Sequence, residues 1–94
     1  MRVILDASRM ENREDTFVYL KEQFQLPEYF GNNLDALYDC LTDVQEETVV
    51  ILRDRAALEE HLGGYGRRFL KLLEEVSREN PHIRLGAFRE TPEK

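Results

Sequence analysis

Carboxylates concentrated in the middle of the chain are the residues whose type and spacing best suggest a chemical role. Residues 23–52 contain no Lys or Arg and carry six acids: Glu28, Asp35, Asp39, Asp43, Glu46 and Glu47. Acids and bases are equal in number elsewhere, so the whole net charge of −6 lies in this segment. Such a charge suits a cationic partner and has the wrong sign for nucleic acid, whose phosphates require Lys and Arg. The simpler interpretation is a solvated face.

The spacing of these residues predicts an amphipathic helix that begins after Asn33, a good helix-capping residue. One face is apolar and is assigned to the core: Leu34, Leu37, Cys40 and Leu41. The adjacent exposed stripe holds an aromatic ring, a hydroxyl and two carboxylates: Tyr38, Thr42, Asp35 and Asp39. Asp39 and Asp43 oppose the helix dipole with no base to offset them, a departure from local rules that is more expected at functional sites. With Tyr29 and Phe30 on the preceding loop, the pattern predicts an anionic surface edged by aromatic rings.

Catalysis and metal binding are the competing interpretations of this region. Cys40 could pair with His61 or His82 as nucleophile and base, but it falls on the apolar face, where an unreactive thiol is more common. The aspartates of the helix lack the alternating spacing and the glycine of a calcium-binding loop. The sequence therefore predicts no enzyme activity, no metal and no cofactor.

Three apolar segments are predicted to be β-strands: Arg2–Asp6, Thr48–Arg53 and His82–Phe88. The second is continuous enough in apolar character to be buried on both faces of a sheet. The third is set off by the turn signal Asn80-Pro81.

Two helices are predicted in each interval between strands. Asn12 or a neighbour caps the first, which stops before Pro27, and the acidic helix follows it. Asp54 caps a short third helix, which a flexible glycine loop at residues 63–66 separates from a last helix over residues 67–80. Helical crossovers between strands predict an α/β fold, a small three-stranded parallel sheet with about four helices packed against it.

The chain length of 94 residues predicts a single domain over residues 1–94, with residues 89–94 as a frayed C-terminal tail. No apolar run approaches the roughly 20 residues of a membrane-spanning helix, so no membrane association is expected. The N-terminus lacks the apolar segment of a secretory signal, and a single cysteine suits a reducing compartment. Together these features predict a cytoplasmic protein.

The segment LPEYFGNNLDALYDCLT, residues 26–42, resembles the signature block of the barstar family, the intracellular inhibitors of secreted bacterial ribonucleases. The resemblance implies a barstar-like fold and inhibition by plugging the ribonuclease active site with the acidic helix and the loop before it. It implies that Asp39 takes the place of the RNA phosphate. The partner-binding positions that it implies are Tyr29, Asn33, Leu34, Asp35, Tyr38, Asp39 and Thr42, together with Glu75, or alternatively Glu74, from the last helix.

The implied partner is a basic ribonuclease or a similar toxin, against which the chain acts as an immunity protein, and the chain is expected to be a monomer when free. Two positions depart from the family pattern. Tyr38 stands where the best-known inhibitor has tryptophan, and Val44 stands where it has a second aromatic residue. The alternative function is therefore a barstar-like interaction domain that binds a different basic protein or toxin.

Overall fold

The chain forms three strands and four helices in the part that its computed structural model describes, residues 1–86. The strands are β1 (Arg2–Asp6), β2 (Thr48–Arg53) and β3 (Ile83–Leu85). The helices are α1 (Arg13–Phe24), α2 (Leu34–Thr42), α3 (Arg55–Leu62) and α4 (Gly64–Glu79), and a short 3₁₀ turn, Ala7–Arg9, follows β1. The predicted α/β class, with a three-stranded parallel sheet and four helices, is confirmed over these residues.

The sheet has the strand order β1-β2-β3, and both strand pairs are parallel. Val3 of β1 lies beside Val50 of β2, which in turn lies beside Leu85 of β3. Parallel neighbours require long crossovers, which α1 with α2 and α3 with α4 supply. The acidic helix α2 is thus the last element of the first crossover, and it packs against α4 of the second.

A hydrophobic core joins the sheet to the helices. Leu5 and Val50 of the sheet and Leu37, Leu41 and Leu73 of the helices have no exposed surface. Burial of each such side chain stabilises the fold by about 1.5–3 kcal/mol relative to exposure. Because Leu37 and Leu41 belong to α2, the core fixes which side of the acidic helix faces inward and leaves its carboxylates outside.

Helix α1 begins and ends as predicted. Asn12 Oδ1 accepts a hydrogen bond from the backbone N–H of Asp15 at 2.8 Å, and the helix stops at Phe24 with Gln25 in the left-handed conformation (φ 56°). The apolar side chains predicted on its inner face are buried: Phe17, Leu20 and Phe24.

The prediction that β2 is buried on both faces is wrong. Thr48, Val50 and Leu52 are buried, whereas Val49 and Ile51 are only half-buried and lie outside the core cluster. Side chains of a strand alternate between the two faces of its sheet, and in the described region the core occupies only one of them. An apolar run in a strand therefore did not reveal how many faces the helices cover.

The prediction of a flexible glycine loop between α3 and α4 is also wrong. Gly63 alone separates α3 from α4, with φ +58°, while Gly64 and Gly66 lie inside α4. A Cβ at Gly66 would lie 2.8 Å from the carbonyl oxygen of Leu58, so this glycine permits close packing of the two helices. Asp54 precedes α3, but its side chain makes no capping hydrogen bond, because its left-handed backbone (φ 58°) differs from the extended conformation of a capping residue.

Strand β3 is shorter than predicted and ends at Leu85. The backbone N–H of Gly86 still donates to the carbonyl of Val50 at 2.7 Å. Ala87 and Phe88 of the predicted strand, and the predicted tail at 89–94, lie outside the described residues. Within residues 1–86, no helix combines the length and the apolar character that crossing a bilayer requires.

Candidate functional site

Asn33 sets the start of the acidic helix. Its Oδ1 accepts a hydrogen bond from the backbone N–H of Ala36 at 2.7 Å, and its Nδ2 donates to the carbonyl of Gly31 at 3.1 Å. The predicted cap is confirmed. Both the oxygen and the nitrogen of the side-chain amide therefore form hydrogen bonds within the chain, and together these bonds link the loop to the first turn of α2.

The loop before α2 divides its two aromatic residues between core and solvent. The Phe30 ring is buried, with its centroid 6.0 Å from that of Phe17. The neighbouring Tyr29 is 86% exposed. Phe30 anchors the loop, and Tyr29 projects a large ring that no contact within the core explains.

The carboxylates on the outer side of α2 have no cationic partner within the described residues. Asp35, Asp39 and Asp43 are all exposed, and none takes part in the ion pairs found among residues 1–86. The last turn of α2 contains no basic residue. Like charges one turn apart repel each other, so this arrangement does not stabilise the helix.

Tyr38 connects the acidic helix to α4. Its hydroxyl donates a hydrogen bond to Glu79 Oε1 at 2.5 Å. This bond raises the pKa of Tyr38 above its ordinary value, with smaller contributions from desolvation and from the charges of Glu79, Glu75 and Asp39. The sequence predictions missed Glu79. The sequence feature that could have indicated Glu79 is its position four residues after Glu75, which puts both carboxylates on one side of α4.

The structure also distinguishes the two candidate acids of the last helix. Glu75 is half-buried, and its charge acts on Tyr38, whereas Glu74 is exposed and exerts no such effect. The contact with α2 therefore involves the side of α4 that carries Glu75.

The charges of Glu79, Glu75 and Asp39 all act on Tyr38, and Asp35 lies one helical turn before Tyr38 and Asp39 on the exposed side of α2. We name these four carboxylates and the Tyr38 ring the acidic surface. Ion pairs found within residues 1–86 use none of these carboxylates. Exposed carboxylates outside ion pairs can bind guanidinium, ammonium and imidazolium groups through charge-assisted hydrogen bonds. The arrangement is suited to a cationic partner.

Two further predicted positions, Leu34 and Thr42, lie beside the acidic surface. Leu34 is half-buried against the core. The Thr42 hydroxyl lies 2.9 Å from the carbonyl oxygen of Tyr38 and 3.1 Å from that of Asp39, so its proton is used within the helix. Leu34 and Thr42 thus offer contact area rather than hydrogen-bond donors.

Each histidine of the thiol-enzyme alternative has a partner other than Cys40. His61 Nδ1 lies 3.2 Å from the carbonyl oxygen of Met10, and His82 Nδ1 lies 3.0 Å from Glu47 Oε2. Burial raises the pKa of the Cys40 thiol, and nearby aspartates raise it further. A metal site is not formed in residues 1–86 either, since no three His, Cys, Asp or Glu side chains cluster suitably there.

Comparison with known proteins shows the family of the chain. The sequence profile of the family described as "Barstar (barnase inhibitor)" matches residues 1–89. A protein of Bacillus subtilis (strain 168) with the name "Putative ribonuclease inhibitor YrdF" is 34% identical over 79 residues, which span 83% of this chain and 87% of that protein. The chain therefore belongs to the barstar family and is a protein of the inhibitor type, not an enzyme.

Proposed function

We propose that this protein inhibits a basic ribonuclease by inserting α2 and the preceding loop into the active site of the enzyme. The observation that carries the proposal is the acidic surface, whose four carboxylates come from two helices and have no cationic partner among residues 1–86. Family membership supports a ribonuclease of the barnase type as the target. The ribonuclease-inhibitor name of the Bacillus subtilis relative supports the same target class.

Inhibition follows from the chemistry of RNA cleavage. A ribonuclease binds the phosphate of its substrate with Arg, Lys and protonated His side chains, so its active site is a cationic cleft. In this proposal Asp39 occupies the position of the RNA phosphate, and the other carboxylates of the acidic surface pair with surrounding cations. A carboxylate offers no phosphodiester bond to cleave, so the enzyme is blocked without a reaction.

Residues beside the acidic surface have different tasks in this complex. The exposed ring of Tyr29 supplies an aromatic contact at the edge of the cleft. Leu34 and Thr42 exclude water around Asp35 and Asp39. Asn33 contributes by holding the loop and the start of α2 in place.

The proposed setting is the cytoplasm of a bacterium that must protect itself from its own ribonuclease or toxin. The free inhibitor is proposed to be a monomer that binds neither nucleic acid nor membrane. Attraction between a basic enzyme and a chain of net charge −6 accelerates association, while desolvated carboxylates and aromatic contacts slow dissociation.

An inhibition assay tests the proposal directly. The protein is titrated into a barnase-type ribonuclease and into a basic ribonuclease secreted by the source bacterium, with cleavage of a fluorogenic RNA as readout. We expect one-to-one inhibition of at least one enzyme and competition by a mononucleotide that occupies the active site. Glu75→Ala should weaken inhibition more than its matched control Glu74→Ala. Binding that leaves cleavage unchanged would contradict the proposal.

The second candidate function is a barstar-like domain directed against another basic protein or toxin. It is favoured by Tyr38, which stands where the resemblance leads us to expect tryptophan and is already tied to Glu79. Inhibition of neither ribonuclease, combined with binding to a different basic toxin that Asp39→Ala weakens, would favour this candidate.

A further inference from the structure

The side chain of Asn80 spans the junction between α4, α2 and β3. It follows α4 directly and is only 4% exposed. Its Nδ2 donates to the carbonyl oxygens of Leu41 and Val44, both at 2.9 Å, and lies 3.3 Å from that of Thr42. Its Oδ1 accepts a hydrogen bond from the backbone N–H of His82 at 2.9 Å. Both polar atoms of this buried amide therefore have hydrogen-bond partners, and Nδ2 binds the end of α2.

The end of α2 has neither a left-handed cap residue nor a basic side chain. The C-cap residue, Asp43, has a right-handed backbone (φ −90°) rather than the left-handed conformation typical of a glycine cap. No basic side chain lies in the last turn of the helix. The terminal carbonyls of a helix need partners, and a helix of nine residues is marginal without them. The backbone N–H groups of Asp43 and Val44 donate to the carbonyls of Cys40 and Leu41 at 3.2 and 3.3 Å. The Asn80 side chain adds a second, shorter hydrogen bond to Leu41 and lies 3.3 Å from the carbonyl oxygen of Thr42.

We propose that Asn80 is a positioning residue for partner recognition, an inference that rests on the proposed function. By binding the last carbonyls of α2, Asn80 fixes the position of Asp39 and Thr42 relative to α4. The residue immediately before it is Glu79, which belongs to the acidic surface and binds Tyr38. The end of α4 thus both provides a carboxylate and sets its register with the carboxylates of α2.

Positioning affects affinity because the cations of an active site have fixed spacing. Carboxylates held in the matching arrangement before association lose less conformational freedom when the complex forms. If the end of α2 frayed, Asp39 and Thr42 would have to be ordered during binding, and the complex would dissociate faster. Asn80 itself is buried and is not placed in contact with the partner.

The test compares Asn80→Ala with Asn12→Ala, which removes the cap of α1 on an element outside the acidic surface. Native-state hydrogen exchange of the free proteins is measured at the amides of Asp43 and Val44, which donate to α2 carbonyls at 3.2 and 3.3 Å. Relative to the most protected core amides, both should exchange about tenfold faster in Asn80→Ala and be unaltered in Asn12→Ala. Asn80→Asp retains the size of the side chain and the bond from His82, and serves if the alanine variant does not fold.

Binding is measured with the ribonuclease under conditions in which every variant is folded. Asn80→Ala or Asn80→Asp should raise the dissociation rate about tenfold, whereas Asn12→Ala should change it less than twofold. Unchanged exchange at Asp43 and Val44, or an unchanged dissociation rate, would overturn the inference. A wild-type chain that binds no ribonuclease would instead overturn the proposed function, and the exchange comparison would still decide whether Asn80 holds the end of α2.

Discussion

Replacing Asp39 by alanine separates the contribution of the acidic surface to binding from its effect on folding. Asp39 is exposed and has like-charged neighbours one helical turn away on each side, Asp35 and Asp43. Each such pair destabilises a helix by about 0.2–0.5 kcal/mol, and a negative charge in the C-terminal half adds a similar penalty. After allowance for solvent screening, Asp39→Ala should raise the free energy of unfolding by about 0.5 kcal/mol.

Binding should change in the opposite direction. In the proposed complex Asp39 is desolvated and accepts charge-assisted hydrogen bonds from the cations that would otherwise hold phosphate. Its removal leaves those cations buried without a partner, and truncation of such a residue costs about 2 kcal/mol or more. The dissociation constant should therefore rise by roughly 30-fold or more.

Titration calorimetry against the ribonuclease and urea unfolding of the same protein samples measure both quantities. Glu22→Ala is the matched control, because Glu22 is also exposed in the C-terminal half of a helix and its removal changes the net charge equally. The control should alter the dissociation constant less than about threefold, since it removes only long-range attraction. Loss of stability in Asp39→Ala with intact binding per folded molecule would refute the reasoning, as would an equal loss of affinity in both variants.

Three further predictions concern electrostatics, the thiol and specificity. The association rate in stopped-flow measurements should fall steeply between about 0.01 and 0.5 M salt, because the Debye length shrinks from about 30 Å to a few Å, and the dissociation rate should change less. An association rate insensitive to salt would show that the acidic segment is only a solubilising face. Because burial raises the pKa of Cys40, the native thiol should react with a thiol reagent at pH 8 more slowly than free cysteine, and Cys40→Ala should still inhibit; rapid labelling that abolishes binding would contradict this. Tyr38→Trp removes the hydroxyl that binds Glu79 and enlarges the ring. It should lower the dissociation constant for a barnase-type enzyme and raise that for the chain's own partner. Equal shifts of both dissociation constants would show that position 38 provides only generic contact area.

The hydroxyl of Tyr38 has a hydrogen-bond partner that only the tertiary structure provides. From sequence alone, that hydroxyl must find a hydrogen-bond partner whenever the interface becomes dry. The structure supplies one within the chain, Glu79, before any partner binds. The expected cost of replacing tryptophan by tyrosine is therefore a matter of ring size and shape rather than of an unpaired donor.

The acidic helix was predictable from sequence because its determinants are local. Asn33 caps the helix through a residue three positions away, and Leu37 and Leu41 recur at the helical period that places them on one buried side. The side that carries Asp35 and Asp39 is then exposed by exclusion. Capping, periodicity and charge spacing operate within one or two helical turns, and the sequence displays them directly.

Other features depended on contacts between distant segments. Tyr38 meets a residue 41 positions later, and Asn80 binds the carbonyl of Leu41, 39 positions earlier. Gly66 resembles a helix breaker in sequence, yet it lies within α4, at a point where the backbone of Leu58 approaches too closely for a side chain. Which faces meet, and at what distance, is determined by the joint packing of sheet and helices around one core, and no local pattern of residues encodes that geometry.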